Sequence, residues 1–438
     1  KMDDLDNFFY PKSVAIIGAS NKHGKVGNAL MLNLKNFKGK VYPINLKEKK
    51  VLGLRSYQSV LEVKEKIDLA VIAIPEKGVY SVLEECGKNG IRNVIIITAG
   101  FSESGNKEGQ NRLEHILKKY NLRILGPNNF GTVNPYIGLD TSFSKLTPEK
   151  GNIALISQSG ALWVYISQLS LKQFGFSIFA SLGNMVDVDF ADIILYLNNE
   201  KNTKAIVCYI ESLKDGRKFM DVCKKSKKPV VAIKSGTTNA GQKAALSHTG
   251  SLAGEIEVYR SAFKQSNVFL TETVEDAFDK ARFLVNQKLN GNRTVIITNG
   301  GGLGVLCADY CAKNNQDIVK LPDKLIKHLD LNHNWSRNNP IDLVGDADHT
   351  KYKEIFLKLE EEKNFFDNII VILSQQEMIN VYKVAEEIVK FRNRSKKCAV
   401  CCLVGVGKQI NEAKELLEKN GILSFFEPER CAKVLKNI

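Results

Sequence analysis

The stretch SVAIIGASNKHGKVG, residues 13–27, decides the fold. A β-branched apolar run, Val14 to Ile17, ends on Gly18 and two small residues. Polar residues and two further glycines, Gly24 and Gly27, then lead into a segment with apolar residues at helical spacing. A short buried strand, a tight glycine turn and a helix start form the opening of a doubly wound α/β unit.

The same rhythm continues outward from this point. VYPIN (41–45), DLAVIAIP (68–75), NVIIITAG (93–100) and LRILGP (122–127) are further short apolar runs, separated by helical patterns such as EKGVYSVLEECGKNG. A second set follows the linker SKLTPEKGN: NIALISQSG (152–160), FSIFASLGN (176–184), AIVCYIES (205–212) and PVVAIKSG (229–236). A third follows NQKLNGN: RTVIITNGGGLG (293–304), NIIVILSQQ (368–376) and CAVCCLVGVG (398–407). Continuous apolar strands alternating with helices predict parallel sheets covered on both faces. The expectation is three consecutive three-layer α/β domains with mainly parallel sheets, bounded at 1–148, 149–290 and 291–438.

Composition agrees with a globular chain. Of 438 residues, 44% are hydrophobic and 25% charged, and no apolar run reaches the length of a membrane span. The first residues carry no secretory core. Nine cysteines in a chain of this length do not make a disulfide scaffold, which points to a reducing cytoplasm. The net charge of +14 comes largely from lysines in KEKK (47–50), KKSKK (224–228) and NRSKK (393–397). They read as solvated surface, with no aromatic or heptad pattern to suggest a nucleic-acid face. Cys398 and Cys401 make a C-x-x-C inside an apolar strand without a second pair, so they read as buried strand residues and no metal site is expected.

Each domain begins with a strand ending in small residues, a geometry that offers backbone N–H groups to an anion. In the first turn the spacing of Gly18 and Gly24 is too wide for a P-loop, and Val26 stands where a Mg²⁺-binding Ser or Thr belongs. No G-x-G-x-x-G is present either. INLKEKK (44–50) carries Lys47 where a dinucleotide fold has its ribose-binding acid, which favours a phosphorylated nucleotide such as coenzyme A or NADP. The bland alternative is that Gly18 is only a tight turn. SQSGAL (157–162) suits phosphate or carboxylate, and equally an N-cap by Ser159. NGGGLG (299–304) is either a close-approach turn or purely structural. His248 lies in AALSHTGSLAG (244–254), surrounded by small residues. It reads either as a hydrogen-bonded loop histidine or as a chemical group needing clearance.

At this point the chain resembles a known family. GASNKHGKVG with Lys47, GPNNFGTVN (126–134), ISQSGAL, SLGNMVDVDFADIILYL (181–197), IESLKDGRKF (210–219), IKSGTTNAGQKAALSHTGSLAG (233–254) and NPIDLVGDAD (339–348) are similar to NDP-forming acyl-CoA synthetases. The likeness is greatest to the α subunit, or N-terminal portion, of ADP-forming acetyl-CoA synthetases, and more distant to the succinyl-CoA synthetase α subunit. It implies a Rossmann-like CoA-binding domain followed by two flavodoxin-like domains, the first of which carries a phosphorylated histidine. It also implies a reversible ligase reaction: acyl-CoA and phosphate give acyl phosphate and CoA, the phosphoryl group moves to histidine, and a loop carries it to ADP. By the same resemblance His248 is the phosphorylated residue and Glu211 the carboxylate that supports it. Ser159, Gly160, Gly126, Pro127 and Asn128 receive the phosphate. Gly18, Ala19, Ser20, Lys47, Ile97, Thr98 and Ala99 contact CoA.

These roles are chemically coherent. A neutral imidazole nitrogen accepts a phosphoryl group, and a carboxylate on the other nitrogen fixes the tautomer. Helix N-termini neutralise the transferred charge. Val164 stands where succinyl-CoA synthetases tend to have a tyrosine, which argues against succinate, and Asn129-Phe130 replaces a Cys-Met or Cys-Pro pair. The acid expected is acetate or another small carboxylic acid. No ATP-grasp sequence occurs before Ile438, so ADP/ATP and Mg²⁺ would be held by an ATP-grasp β subunit, in an α2β2 hetero-oligomer, or by further sequence. Two other readings are a CoA-binding regulatory module related to protein acetyltransferases and an NADP-dependent oxidoreductase built on the first turn.

Overall fold

The opening run forms strand β1, Ser13–Ile17, with all five residues buried. The chain then turns at Gly18, whose φ is +93°, and enters a helix over Val26–Asn33. The computed structural model describes residues 5–171, 173–249, 255–329, 331, 335–344 and 347–438, with side chains 246–249 excepted.

Around β1 stand β2 (Lys40–Ile44), β5 (Leu69–Ile72), β6 (Asn93–Ile96) and β7 (Arg123–Leu125), while β3 (Lys50–Val51) and β4 (Leu54–Arg55) form a small separate hairpin. The sheet order is β2-β1-β5-β6-β7, and every pairing is parallel. One strand lies to one side of β1 and three to the other, so the direction of winding reverses between β1 and β5. In doubly wound sheets that reversal opens a crevice at the strands' carboxyl ends.

A second sheet repeats the plan. Its parallel strands are β10 (Lys150–Ser157), β11 (Phe176–Ser181), β12 (Ala205–Ile210), β13 (Val230–Lys234) and β14 (Val268–Thr271). The hairpin β8 (Thr132–Asn134) and β9 (Leu139–Asp140) adds to its edge through antiparallel pairing with β11. The order is β14-β13-β12-β10-β11-β8-β9, with the reversal between β10 and β12. The hairpin thus joins the second sheet although its sequence precedes residue 148.

Residues up to Ala277 make one compact unit, and those from Phe278 onward make another. In the first unit a continuous core runs from Leu5, Phe8 and Phe9 through one face of the first sheet into the second. The Phe9 ring stands 5.0 Å from Tyr196. Hydrogen bonds from Thr132 Oγ1 to the Phe8 carbonyl and from Asn134 Nδ2 to the Phe9 carbonyl, at 3.0 and 2.9 Å, tie the N-terminal segment to β8. The other face of the first sheet has its own core, which includes Val79, Leu83, Leu113 and Ile116.

The second unit holds β15 (Arg293–Thr298), β16 (Asp317–Ile318), β17 (Ile341–Asp342), β18 (Asn368–Ser374), β19 (Cys398–Val404) and β20 (Ser424–Phe425). They are ordered β16-β15-β18-β19-β20, with β17 also on β15, and all pairings are parallel. Its core is separate and includes Trp335, Tyr352, Phe356 and Phe391. Among the described residues no helix is long and apolar enough to cross a membrane.

Candidate functional site

The carboxyl ends of the first and second sheets open onto one shared cavity of about 1110 Å³. Its first-sheet wall begins at Gly18. A Cβ there would stand 2.4 Å from the Ala73 carbonyl oxygen, so only glycine lets β1 turn against the strand end of β5. Gly27 serves the next step, since a Cβ on it would meet the Gly18 carbonyl at 1.8 Å. The helix Val26–Asn33 therefore starts hard against the turn, with Val26 and Gly27 on the cavity wall. Asn45 holds the neighbouring loop by donating to the Ala19 carbonyl at 2.7 Å and accepting from Lys47 N–H at 2.8 Å.

Ile97, Thr98 and Ala99 line the cavity beyond β6. The Thr98 hydroxyl donates to the Ile74 carbonyl at 2.7 Å, and the Thr98 carbonyl accepts from Asn128 N–H at 2.9 Å. These bonds lock the β5, β6 and β7 loops together. Glu103, also on the wall, accepts from Gly100 N–H at 2.5 Å and from the Asn184 amide. Burial pushes its carboxyl up, but these hydrogen bonds outweigh that effect and hold it below the usual carboxylate range.

The second-sheet wall is built from the ends of β10 and β12. Ser157 Oγ donates to the Ser159 carbonyl at 2.7 Å, shaping the turn before the helix Leu162–Ser170. Gln158 reaches across to the next loop, where its side-chain oxygen accepts Glu211 N–H at 2.6 Å and Ser212 N–H at 3.0 Å. Ser159, Gly160 and Glu211 thereby face one space. Next to Glu211, Lys234 is 5% exposed, donates to the Ser235 carbonyl and lies 4.7 Å from the Tyr259 ring. Burial lowers its pKa, and the Glu211 carboxylate partly restores it.

The residues singled out in the sequence divide into three groups. Gly18, Ser20, Ile97, Thr98, Ala99, Asn128, Ser159, Gly160 and Glu211 line the cavity. Ala19, Gly126, Pro127 and Lys47 are not among its lining residues. Ala19 is fully buried. The Gly126 and Pro127 carbonyls accept Val186 and Asn184 N–H at 3.0 and 2.9 Å, so those two residues support the wall from behind. Lys47 is an exposed side chain near the first turn. His248 falls in the last turn of a helix over Asn239–Thr249, and that helix lies against the Ser102–Ser104 turn at the cavity rim. The His248 side chain and residues 250–254 of its motif lie outside the described residues. Gln158, whose amide belongs to the anion-suited SQSGAL turn, also lines the cavity, while Lys25, Lys107, Asn184 and Phe143 line it without having been singled out in the sequence. Phe143 had no local signal. Among the described residues no cluster of three or more His, Cys, Asp or Glu is placed to hold a metal ion.

Family models match both halves of this site. Residues 12–135 fit a CoA binding domain, and residues 150–284 fit a succinyl-CoA ligase like flavodoxin domain. Fold and cavity together define a protein of the CoA-ligase class. The ADP-forming acetate–CoA ligase II subunit alpha of Pyrococcus furiosus is 42% identical over 441 residues, covering 98% of this chain and 96% of its own length. The ADP-forming acetate–CoA ligase of Methanocaldococcus jannaschii is 44% identical over 445 residues, covering 99% of this chain. The chain spans 63% of the length of that relative. The solved structure of Ca. Korarchaeum cryptofilum dinucleotide forming acetyl-coenzyme A synthetase 1, in complex with phosphate and ADP, superposes with a TM-score of 0.89 at 36% identity. That match covers 99% of this chain and 96% of the other. The chain belongs to the family of ADP-forming acetate–CoA ligases.

Proposed function

We propose that this chain carries the acyl-transfer half of an ADP-forming acyl-CoA ligase. The observation behind this reading is the single cavity that joins the Gly18 turn to Ser159, Gly160 and Glu211. A thioester held at the first wall meets phosphate at the second without leaving the space. In the first step a phosphate oxygen attacks the thioester carbonyl, the C–O bond forms and the C–S bond breaks. The phosphate proton passes to the departing thiolate, giving acyl phosphate and CoA. The phosphoryl group then moves to His248 and the carboxylic acid leaves.

The chemistry of the walls supports these assignments. Gly18, Ser20, Ile97, Thr98 and Ala99 are assigned to CoA, with Ala19 buried beside the turn and Lys47 assigned to a CoA phosphate at the surface. Close backbone approach at Gly18 suits a pyrophosphate, and Ser20 adds a hydroxyl. Ser159 and Gly160 are assigned to the transferred phosphate, with Asn128 on the wall and Gly126 and Pro127 behind it. Glu211 is assigned to orient the His248 imidazole and to stabilise its positive charge as the P–N bond forms. ADP, ATP and Mg²⁺ are assigned to an ATP-grasp β partner in an α2β2 assembly. The designation of the Pyrococcus relative as a subunit alpha favours a separate partner. Residues 1–148, 149–290 and 291–438 are assigned as three domains, each holding most strands of one large sheet, with the β8–β9 hairpin of the first joining the sheet of the second. A cytoplasmic location fits nine free cysteines.

The test is to incubate the chain with acetyl-CoA and ³²P-labelled phosphate. Acid-labile label should appear on the wild type and be absent from His248→Ala. Label retained by that variant would refute the assignment.

A further inference from the structure

One wall of the cavity is aromatic and holds none of the residues assigned to phosphate. Phe130 and Phe143 both line the space, with ring centroids 4.0 Å apart and planes tilted by 44°. They come from separate segments, and each is held rigidly. Phe130 N–H donates to Ser181 Oγ at 3.0 Å. Its neighbour Asn129 is 4% exposed and donates to the Ser181 carbonyl while accepting Gly131 N–H at 2.5 Å. Phe143 sits between Ser142 and Ser144, whose carbonyls accept the Asn33 side-chain amide at 2.7 and 2.9 Å.

The pair abuts the segment assigned to phosphate. A Cβ on Gly160 would stand 2.5 Å from Phe130 Cβ and 2.9 Å from the ring. An acyl group bonded to a phosphate at Ser159–Gly160 must therefore lie along this wall. Among the described residues, the lysines lining the cavity are Lys25 and Lys107, both in first-sheet connections. Gln158 ties the Ser159–Gly160 segment to the Glu211 loop. A second carboxylate on the acyl group would lose its water against aromatic carbon there.

We propose that Phe130 and Phe143 form the acyl subsite and limit it to short, uncharged acyl groups. This rests on the ligase reading above. The discriminating experiment measures phosphate-dependent release of CoA thiol from acetyl-, isobutyryl-, phenylacetyl- and succinyl-CoA by the full chain.

The wild type should prefer acetyl-CoA over the bulkier thioesters by about tenfold or more in kcat/KM, the discrimination that a shaped apolar wall supplies. Phe130→Ala should raise isobutyryl- or phenylacetyl-CoA relative to acetyl-CoA by about tenfold, and Phe143→Leu should move the ratio the same way by a smaller factor. Succinyl-CoA should stay poor in all three proteins. Unchanged ratios in variants that still bind CoA with wild-type affinity would overturn the inference, as would a wild type that prefers succinyl-CoA. Should Phe130→Ala lose CoA binding, the ratio in Phe143→Leu decides. A wild type that releases CoA from none of the four thioesters would overturn the ligase reading itself.

Discussion

The side-chain oxygen of Gln158 accepts the backbone N–H of Glu211 at 2.6 Å. It joins two loops that are 53 residues apart in sequence, one carrying the proposed phosphate turn and the other the proposed histidine partner. Glu211 is only 9% exposed, so its N–H has little access to water once this acceptor is lost. An unsatisfied buried donor costs about 1–3 kcal/mol. Gln158→Leu should therefore slow phosphorylation of the chain by roughly 10- to 100-fold, with CoA affinity unchanged because the first wall is untouched. Rapid-quench labelling beside a CoA titration measures both. Equal loss in the two readouts would mean that Gln158 supports the fold generally.

Gly18 makes a different prediction, since its constraint is steric. Its φ of +93° and the 2.4 Å approach of a Cβ to the Ala73 carbonyl exclude alanine without movement of β5 or the turn. The backbone strain alone is worth about 1–3 kcal/mol. Gly18→Ala should lower the urea midpoint by a corresponding amount and weaken CoA binding, because the turn must open to admit the methyl group. Unchanged CoA affinity would place the ligand away from this turn.

The strand rhythm was legible because parallel strands buried on both faces need unbroken apolar sequence, as SVAII and NIIVILS show. Loops at the carboxyl ends were legible wherever close backbone approach demands small residues, as at Gly18 and Gly160. The β8–β9 hairpin was not. Its strands are three and two residues long, too short for a period, and the partner of β8 is β11, which begins only at Phe176 and pairs Phe179 with Val133. The edge strand β14, VFLT, was missed for a related reason: only Val268 is fully buried. Within the site, Phe130 and Phe143 meet through tertiary contact alone, and Lys47 drew attention through its charge although its side chain is exposed.

Asp140 gives the chain a pH dependence of known sign. It is 7% exposed, and its carboxylate accepts Ser142 N–H at 2.9 Å. Burial dominates over that bond and raises its pKa to about 7, against about 3.9 in an unfolded chain. A raised carboxyl favours the protonated folded state. Its contribution is complete below about pH 4 and is lost as pH rises through about 7. Asp140→Asn should flatten the fall in melting temperature between pH 5 and 8, an effect of a few kcal/mol at most. The difference between the two melting curves across that range is the measurement. Parallel curves would show that Asp140 is already ionised at pH 5.

The nine cysteines should be silent in the native chain. All are free and buried, and burial raises Cys86 and Cys223 to about 12 and Cys398 to about 11. Only the thiolate attacks a disulfide reagent, so at pH 8 the reactive fraction of Cys398 is on the order of one in a thousand before access is considered. Cys401 of the same C-x-x-C is fully buried in β19, and Cys402 Sγ donates to the Phe426 carbonyl at 3.5 Å. An aromatic disulfide reagent should therefore titrate fewer than about one thiol per native chain within minutes. In guanidinium chloride it should titrate all nine. Fast native reaction of Cys398 or Cys401, mapped by mass spectrometry, would show that β19 opens in solution.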